Sequence, residues 1–528
     1  MIDARHLPPT LNCTKMLSLL GYNVKVIIYA TRHCVATEFL KSNVSVVREF
    51  TSVRFGCENM IRFLVVLIGL VIAIPQASAI SFDEARHLLA RTGFGSPRPA
   101  EIDKILPLGY EAAVDQILNG VPGKAATPIP EFKTEPADRR KIKNMDKAAR
   151  QDYQRRNQAD RKEARYWWIR EMLETPSPFT ERMVLFWHNH FVSEINKVQF
   201  GQWALEQNAS FRKYAIGDFR KLLIEVSIGP AMMIYLDASK NKKNKPNENF
   251  AREIMELFTL GEGQGYTEED IRESARAYTG WRINFDTAKF EFNLWSHDNT
   301  DKTVLGKTGN FDGIDVMEII LEQPRVAYFL AEKLWREFVS LQPNPSETKR
   351  LAKIIRAHKY NLKPMIKAMF MSPVFRDPDN RGTLIKSPVE LTIGTLRLLG
   401  QKPPEIRKVW GNQKAMGQNL FDPPDVKGWR GGMAWMTSTT TLRRSQFLKA
   451  AFNGVKKFNK KRELTAMEMR KLPFGVANPW PLQAREVAKP GYLKKLMLAI
   501  DPVMQRKFTG KQRKVIRNLL LDPAYQVK

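Results

Sequence analysis

Capped helices dominate this sequence, and the segment from residue 246 to residue 281 shows the pattern most clearly. It reads PNENFAREIMELFTLGEGQGYTEEDIRESARAYTGW. Apolar residues recur at the spacing of one helix face, and a glycine at 261 predicts the end of that helix. Thr267 and Asp270 then form a capping-box pattern that opens a second helix. The apolar face consists of Phe250, Ile254, Leu257 and Phe258.

Two segments break the helical pattern. Residues 289–305, KFEFNLWSHDNTDKTVL, alternate apolar and polar side chains and predict a β-hairpin with its turn at 298–301. Residues 421–435, FDPPDVKGWRGGMAW, are too rich in proline and glycine for a regular element, yet their tryptophans need burial. The sequence therefore predicts a mainly α fold, with a large helical domain, a small β-hairpin and a long packed Pro/Gly/Trp loop.

Residues 60–79 have the layout of a secretory signal peptide. Met60 and Arg62 precede an apolar run from 63 to 74, and the segment ends in Ala77-Ser78-Ala79. The run is shorter than the roughly 20 apolar residues of a membrane-spanning helix. We therefore expect an exported protein, periplasmic or extracellular, with membrane association left open.

The cysteines support a translation start at Met60. Cys13, Cys34 and Cys57 all lie upstream of it. An exported chain would have to pair an odd number of thiols or leave one reactive. We therefore interpret residues 1–59 as upstream sequence included by mistake. The alternative is a genuine N-terminal extension ahead of an internal signal anchor.

The remaining chain divides by composition and charge. Residues 80–455 form the predicted core domain, with a charged helical insertion at 124–165, and residues 456–528 form a basic helical tail. The whole chain has 84 Lys and Arg against 55 Asp and Glu, and the tail alone has 18 against five. Such charge favours anionic partners. We expect the tail to bind envelope lipid or polymer, because only charge, and no sequence motif, would indicate nucleic acid.

Polar residues on one side of the 246–261 helix are the first candidate site. Asn249, Glu253 and Glu256 follow one another at i, i+4 and i+7, and Arg252 can pair with Glu248. A solvated face would more usually carry lysine and glutamate. We predict that these residues share a polar pocket with His188 or His190. The alternative is that they brace neighbouring helices through hydrogen bonds.

Histidines supply the second set of candidates. His188 and His190 stand in WHNHF, where helical spacing puts them on opposite sides, with His190 on the packed face. His297 and Asp298 form either a braced turn or an acid–base pair. No cysteine follows Cys57, and no GxSxG or SxxK pattern is present, which disfavours covalent catalysis.

Several long segments together resemble one bacterial family, known as domain of unknown function 1800. The resemblance covers about residues 85–447. It implies a mostly helical exported protein, often encoded beside a sulfatase-like exported protein, which is therefore a possible partner. It implies no reaction. The segments that carry it are ERMVLFWHNHF (181–191), 246–281, HDNTDK (297–302), KLWREFV (333–339), KSPVEL (386–391) and PPDVKGWRGGMAW (423–435).

Two classes of function remain open on these grounds. The sequence slightly favours a binding or assembly protein of the bacterial envelope. The alternative is a metal- or acid/base-dependent hydrolase or lyase acting on an envelope or extracellular polymer. It would use Glu253 and Glu256 with His188 or His190, with a single divalent metal ion as the candidate cofactor.

Overall fold

The protein is described here by a computed structural model, which covers residues 79–458, 474, 489–504 and 512–528. The predicted upstream segment, 1–59, and the predicted signal peptide, except for its last residue, lie outside the described residues. So do residues 459–473, 475–488 and 505–511 of the predicted tail. Residues 77–528 belong to one compact unit.

Helices make up most of the described chain, which confirms the predicted fold class. In the first half they are α1 Phe82–Thr92, α2 Pro99–Ile105, α3 Tyr110–Asn119, α4 Arg139–Lys143, α5 Lys147–Glu174, α6 Pro178–His190, α7 Ile195–Val198, α8 Gly201–Lys213, α9 Phe219–Ile228, α10 Pro230–Tyr235, α11 Glu248–Glu253 and α12 Glu268–Ala277. In the second half they are α13 Gly313–Glu322, α14 Pro324–Phe338, α15 Pro345–Ala357, α16 Lys363–Phe370, α17 Pro373–Arg376, α18 Pro388–Leu398, α19 Ile406–Ala415, α20 Ser438–Phe458, α21 Pro490–Met497 and α22 Gln512–Leu520. None of the described helices is long and apolar enough to cross a bilayer.

The predicted 246–261 helix is present, but its second half has a wider turn. α11 continues as a π-helical segment, Ile254–Thr259, in which the Leu260 amide donates to the Met255 carbonyl at 2.8 Å. Gly261 ends it at φ +97°, as predicted. A π turn holds an extra residue, so i+4 and i+7 spacing does not keep side chains on one face across it.

Two small antiparallel sheets replace the single predicted hairpin. β1 (Trp281–Asn284) pairs with β2 (Lys289–Phe292), and β3 (Lys302–Val304) pairs with β4 (Lys307–Gly309). The hairpin predicted over 289–305, with its turn at 298–301, is wrong in its pairing, because residues 289–292 pair with 281–284 instead. Asn284 provides the physical reason, since its Oδ1 accepts hydrogen bonds from the amides of 286 and 287 and closes a tight turn after β1.

The predicted insertion at 124–165 consists of a coil, the short helix α4 and most of the long helix α5. Its last part belongs to α5, which carries Trp167 and Trp168 into the interior. The preceding coil is held against this helix, because the Tyr153 hydroxyl donates to the Glu135 carbonyl and the Lys133 amide donates to Asp160. The coil therefore packs on α5.

The described part of the predicted tail packs into the same unit as the core. α22 buries an apolar stripe, which consists of Val515, Ile516, Leu519 and Leu520. Beyond it, Tyr525 is buried and its hydroxyl lies 2.9 Å from Thr395 Oγ1. The Lys528 amide donates to the Leu384 carbonyl at 2.8 Å. These contacts bring Lys528 to the wall of the cavity described next.

Candidate functional site

A cavity of about 430 Å³ lies where most of the recognisable segments meet. Its walls come from α6, the π-helical segment, α14, residues 384–390 and the loop 421–435. This loop is irregular apart from one short turn of 3₁₀-helix, and Trp429 and Trp435 within it are buried, as predicted. Segments that are far apart in sequence therefore line a single cavity.

One side of the cavity is a network of charged side chains, most of which are buried. Arg182 on α6 contacts both Glu337 and Glu390, and its Nη2 lies 3.1 Å from Glu390 Oε1. Lys528 binds the same Glu390 oxygen. The other oxygen accepts the Ser387 amide at 2.8 Å, which completes the N-terminal capping box of α18. Two cations and two carboxylates therefore balance.

Glu390 is ionised within this network. Its burial alone would raise the pKa, but the nearby charges of Arg182 and then Lys528 outweigh burial and lower the pKa to about 2. The side chains of Glu390 and Lys528 are 3% exposed, and that of Arg182 is 1% exposed. These three side chains therefore form a buried, charged part of the cavity wall.

Asn189 fixes the loop 421–435 to α6. Its Oδ1 accepts the Trp429 amide at 2.7 Å, and its Nδ2 donates to the Trp429 carbonyl at 3.3 Å. Gly428 has φ +80°, and a Cβ there would lie 2.3 Å from Asn189 Oδ1. Only glycine both adopts this backbone and leaves room for the amide side chain.

His190 lines the cavity in its neutral form. Its Nε2 lies 3.1 Å from the Phe258 carbonyl, so Nε2 carries the proton and donates. Among the described residues, the buried Nδ1 has no hydrogen-bond partner. Burial, and then the Lys333 charge, hold the pKa of His190 well below its usual value.

Three cations of the cavity lining lack carboxylate partners among the described residues. They are Lys333 and Arg336 on α14 and Arg430 in the loop. Lys333 Nζ lies 3.5 Å from the Leu257 carbonyl and 5.1 Å from the centre of the Phe329 ring. Burial, and then Arg336, lower the pKa of Lys333 to about 8.

Every carboxylate of the lining, by contrast, already has a cation. Glu262 pairs with Lys427 at 3.0 Å, and Glu256 pairs with Arg252 at 3.3 Å. Glu337 and Glu390 belong to the buried network. The charge that remains uncompensated in the cavity is consequently positive.

The structure brings together only part of the predicted carboxylate and histidine cluster. Glu256 and His190 line the cavity, whereas Asn249, Glu253 and His188 lie outside its lining. Asn249 donates to the Leu236 carbonyl at 3.1 Å, as a helix brace would. Burial, and then Glu256, raise the pKa of Glu253.

His188 and Arg252 also take structural positions. His188 is fully buried among Trp168, Phe421 and Trp429, and burial lowers its pKa to about 3. It lies on the opposite side of α6 from His190, as the spacing predicted. Arg252 joins Glu248 and Glu268 as well as Glu256 in a surface network.

His297 and Asp298 bind separate partners away from the cavity. His297 Nδ1 lies 2.9 Å from the Thr279 carbonyl, and Asp298 Oδ2 accepts from Arg276 at 2.8 Å. Although burial opposes it, hydrogen bonds from Arg276 and Thr300 keep the pKa of Asp298 well below its usual value. This is the geometry of the braced turn, one of the two predicted readings.

Within the described residues, no group of three or more His, Cys, Asp or Glu is arranged to hold a metal ion. The divalent metal ion therefore remains a prediction from the sequence alone.

Sequence reasoning overlooked the residues that dominate the cavity. Arg182, Glu390, Lys333 and Arg336 all lie within the segments ERMVLFWHNHF, KSPVEL and KLWREFV. The available signal was charge inside an otherwise apolar helix, which indicates buried ion pairs. Asn189 was overlooked between two histidines.

The fold and the cavity define a mainly α-helical protein with a cavity whose uncompensated lining charge, among the described residues, is positive. The chain belongs to the family described as Protein of unknown function (DUF1800), whose model matches residues 87–526. The match includes residues 489–504 and 512–526 of the predicted tail. Comparisons with curated proteins and with solved structures gave no match.

Proposed function

We propose that this chain is an exported binding protein whose cavity holds an anionic group of an envelope or extracellular polymer. The observation that carries the proposal is a set of three cations, Lys333, Arg336 and Arg430, that have no carboxylate partner in the described part of the chain. All the carboxylates that line the cavity are paired. A carboxylate, sulfate or phosphate would supply the missing negative charge.

The size and the apolar walls of the cavity suit one charged sugar unit. Its volume of about 430 Å³ lies within the range of small-ligand sites. Trp429 and Trp435 supply apolar wall. An acidic or sulfated polysaccharide therefore fits better than a simple inorganic anion.

Calorimetric titration with polygalacturonate and with dextran sulfate, against neutral dextran, tests the proposal. Lys333→Met should weaken binding of the charged polymers by about tenfold or more, because it removes one charge-assisted contact. Lys353→Met is the matched control, since Lys353 is exposed on α15 and away from the cavity. Equal affinities of the two variants would overturn the proposal.

A lyase remains the second candidate, favoured by the position of Lys333 beside Arg336 in the cavity lining. Lys333 has a pKa of about 8 and lies beside Arg336 in the cavity. Arg336 would neutralise a uronate carboxylate while the unprotonated amine of Lys333 takes the proton from the adjacent carbon. The electrons of that C–H bond form a double bond, the neighbouring C–O bond breaks, and the leaving oxygen is protonated by solvent.

Ultraviolet absorbance of the unsaturated sugar product distinguishes these two candidates. The lyase would release this product from polygalacturonate, and Lys333→Met would stop its release. Tight binding without any unsaturated product would identify a binding protein. The sulfatase-like partner, binding of envelope anions by the basic tail and the exported location remain predictions.

A further inference from the structure

Apolar side chains project into solvent from a short turn after β2. Trp295 is 86% exposed, Leu294 is 74% exposed and Phe292 is 37% exposed. Single exposed apolar residues are ordinary, but a neighbouring Trp and Leu at this exposure are not. This turn is remote in sequence from the segments that line the cavity.

The turn is held in place from beneath. Asn293 Oδ1 accepts the Ser296 amide at 3.0 Å, and the Asn293 amide donates to the Gly280 carbonyl at 2.8 Å. The next residue, His297, is buried and bonded to the Thr279 carbonyl. Trp295 and Leu294 are therefore presented by a fixed backbone.

A lysine-rich loop adjoins this turn. The Lys243 amide donates to the Ser296 carbonyl at 3.0 Å, and the loop closes with a hydrogen bond of 2.8 Å from the Lys245 amide to the Lys242 carbonyl. Lys242, Lys243 and Lys245 are exposed and have no carboxylate partner among the described residues. Arg282 also reaches Ser296 Oγ, at 3.2 Å. Glu291 is the exposed acidic residue opposite Arg282 on β2.

We propose that residues 242–245 and 292–295 form a docking surface for an anionic lipid bilayer, here called the lysine–tryptophan surface. Tryptophan and leucine enter the boundary between headgroups and acyl chains, while adjacent lysines bind anionic headgroups. Each lysine near such a surface adds to the attraction. A sugar ligand could stack on Trp295 but would make no favourable contact with Leu294. The presence of both side chains therefore favours a lipid bilayer over a sugar as the partner.

Sedimentation with vesicles tests this surface in the full chain. The vesicles are phosphatidylglycerol mixed with phosphatidylcholine, compared with phosphatidylcholine alone. The wild type should bind the anionic vesicles and lose binding at high salt. Leu294→Ser/Trp295→Ala should bind about tenfold or more weakly, and Lys242→Glu/Lys243→Glu/Lys245→Glu should do the same.

Matched variants elsewhere on the surface control for loss of apolar area and of charge. Ile129 is 62% exposed far from this turn in sequence, and Lys353 is exposed on α15. Ile129→Ser and Lys353→Glu should bind vesicles like the wild type. Unchanged vesicle binding by Leu294→Ser/Trp295→Ala would overturn the proposal and assign any retention to another surface, such as the basic tail. Loss of self-association by that variant, with vesicle binding intact, would overturn it in favour of a second copy of the chain.

Discussion

The Glu390→Gln variant should unfold at a markedly lower denaturant concentration than the wild type. The substitution keeps the size of the side chain and an oxygen for the Ser387 amide, but it removes the carboxylate that both Arg182 and Lys528 contact. Two buried cations would then share the single charge of Glu337. A buried charge left without its partner costs about 3–5 kcal/mol.

The pKa of Glu390 gives a similar magnitude. A fall from 4.5 to about 2 corresponds to about 3 kcal/mol of stability at neutral pH. Because the folded-state pKa is the lower one, this stability is present above pH 4.5 and is lost as the pH falls from 4.5 toward 2. Glu390→Gln should therefore be less stable than wild type at pH 7, and the difference should shrink in that acidic window.

Urea unfolding followed by circular dichroism and by tryptophan fluorescence measures the effect, provided that the two probes give coincident transitions. Glu390→Gln/Lys528→Met is the informative double variant, because it leaves Arg182 paired with Glu337 alone. It should recover about 1–3 kcal/mol relative to the additive expectation. A loss below about 1 kcal/mol for Glu390→Gln would refute the balanced-network reasoning, since ordinary surface substitutions stay within about 0.5 kcal/mol.

Other predictions concern backbone and pH. Gly428→Ala should destabilise the protein and weaken polymer binding, because the new Cβ would lie 2.3 Å from Asn189 Oδ1. Gly411→Ala on α19 is the contrasting variant, because its Cβ would face open space. It should stabilise the protein by about 0.5–1 kcal/mol in thermal unfolding. Anionic polymer binding should decline as the pH rises through about 8, where Lys333 loses its proton, and this step should be missing in calorimetry of Lys333→Met. A flat pH profile in the wild type would remove Lys333 from the site.

The helices were predictable because their signals are local. Gly261 and the Thr267–Asp270 capping box lie at the predicted positions, and Thr267 Oγ1 accepts the Asp270 amide at 3.1 Å. The π-helical segment 254–259 was not predictable, since no local pattern distinguishes it from α-helix. The strand pairing was predicted wrongly for a related reason. The alternation of apolar and polar residues in 289–292 does not reveal which strand this segment pairs with.

The candidate site was harder to predict because it joins residues far apart in sequence. Periodicity placed His190 on the packed face, and it does line the cavity. It could not show that Arg182 and Glu390 pair across more than two hundred residues. Nor could it show that Glu256 is neutralised by Arg252, while no carboxylate of the described residues pairs with Lys333. Pairing is a property of the packed helices, and it decides the charge of the cavity.

Anomalous diffraction from a crystal soaked in selenate would locate the anion directly. Selenate has the charge and shape of sulfate, and its selenium gives a distinct peak. We predict a peak inside the cavity within hydrogen-bond distance of Lys333 and Arg336, and no peak there in Lys333→Met. Selenate bound elsewhere on the protein, with the cavity free of it, would contradict the assignment of this cavity as an anion-binding site.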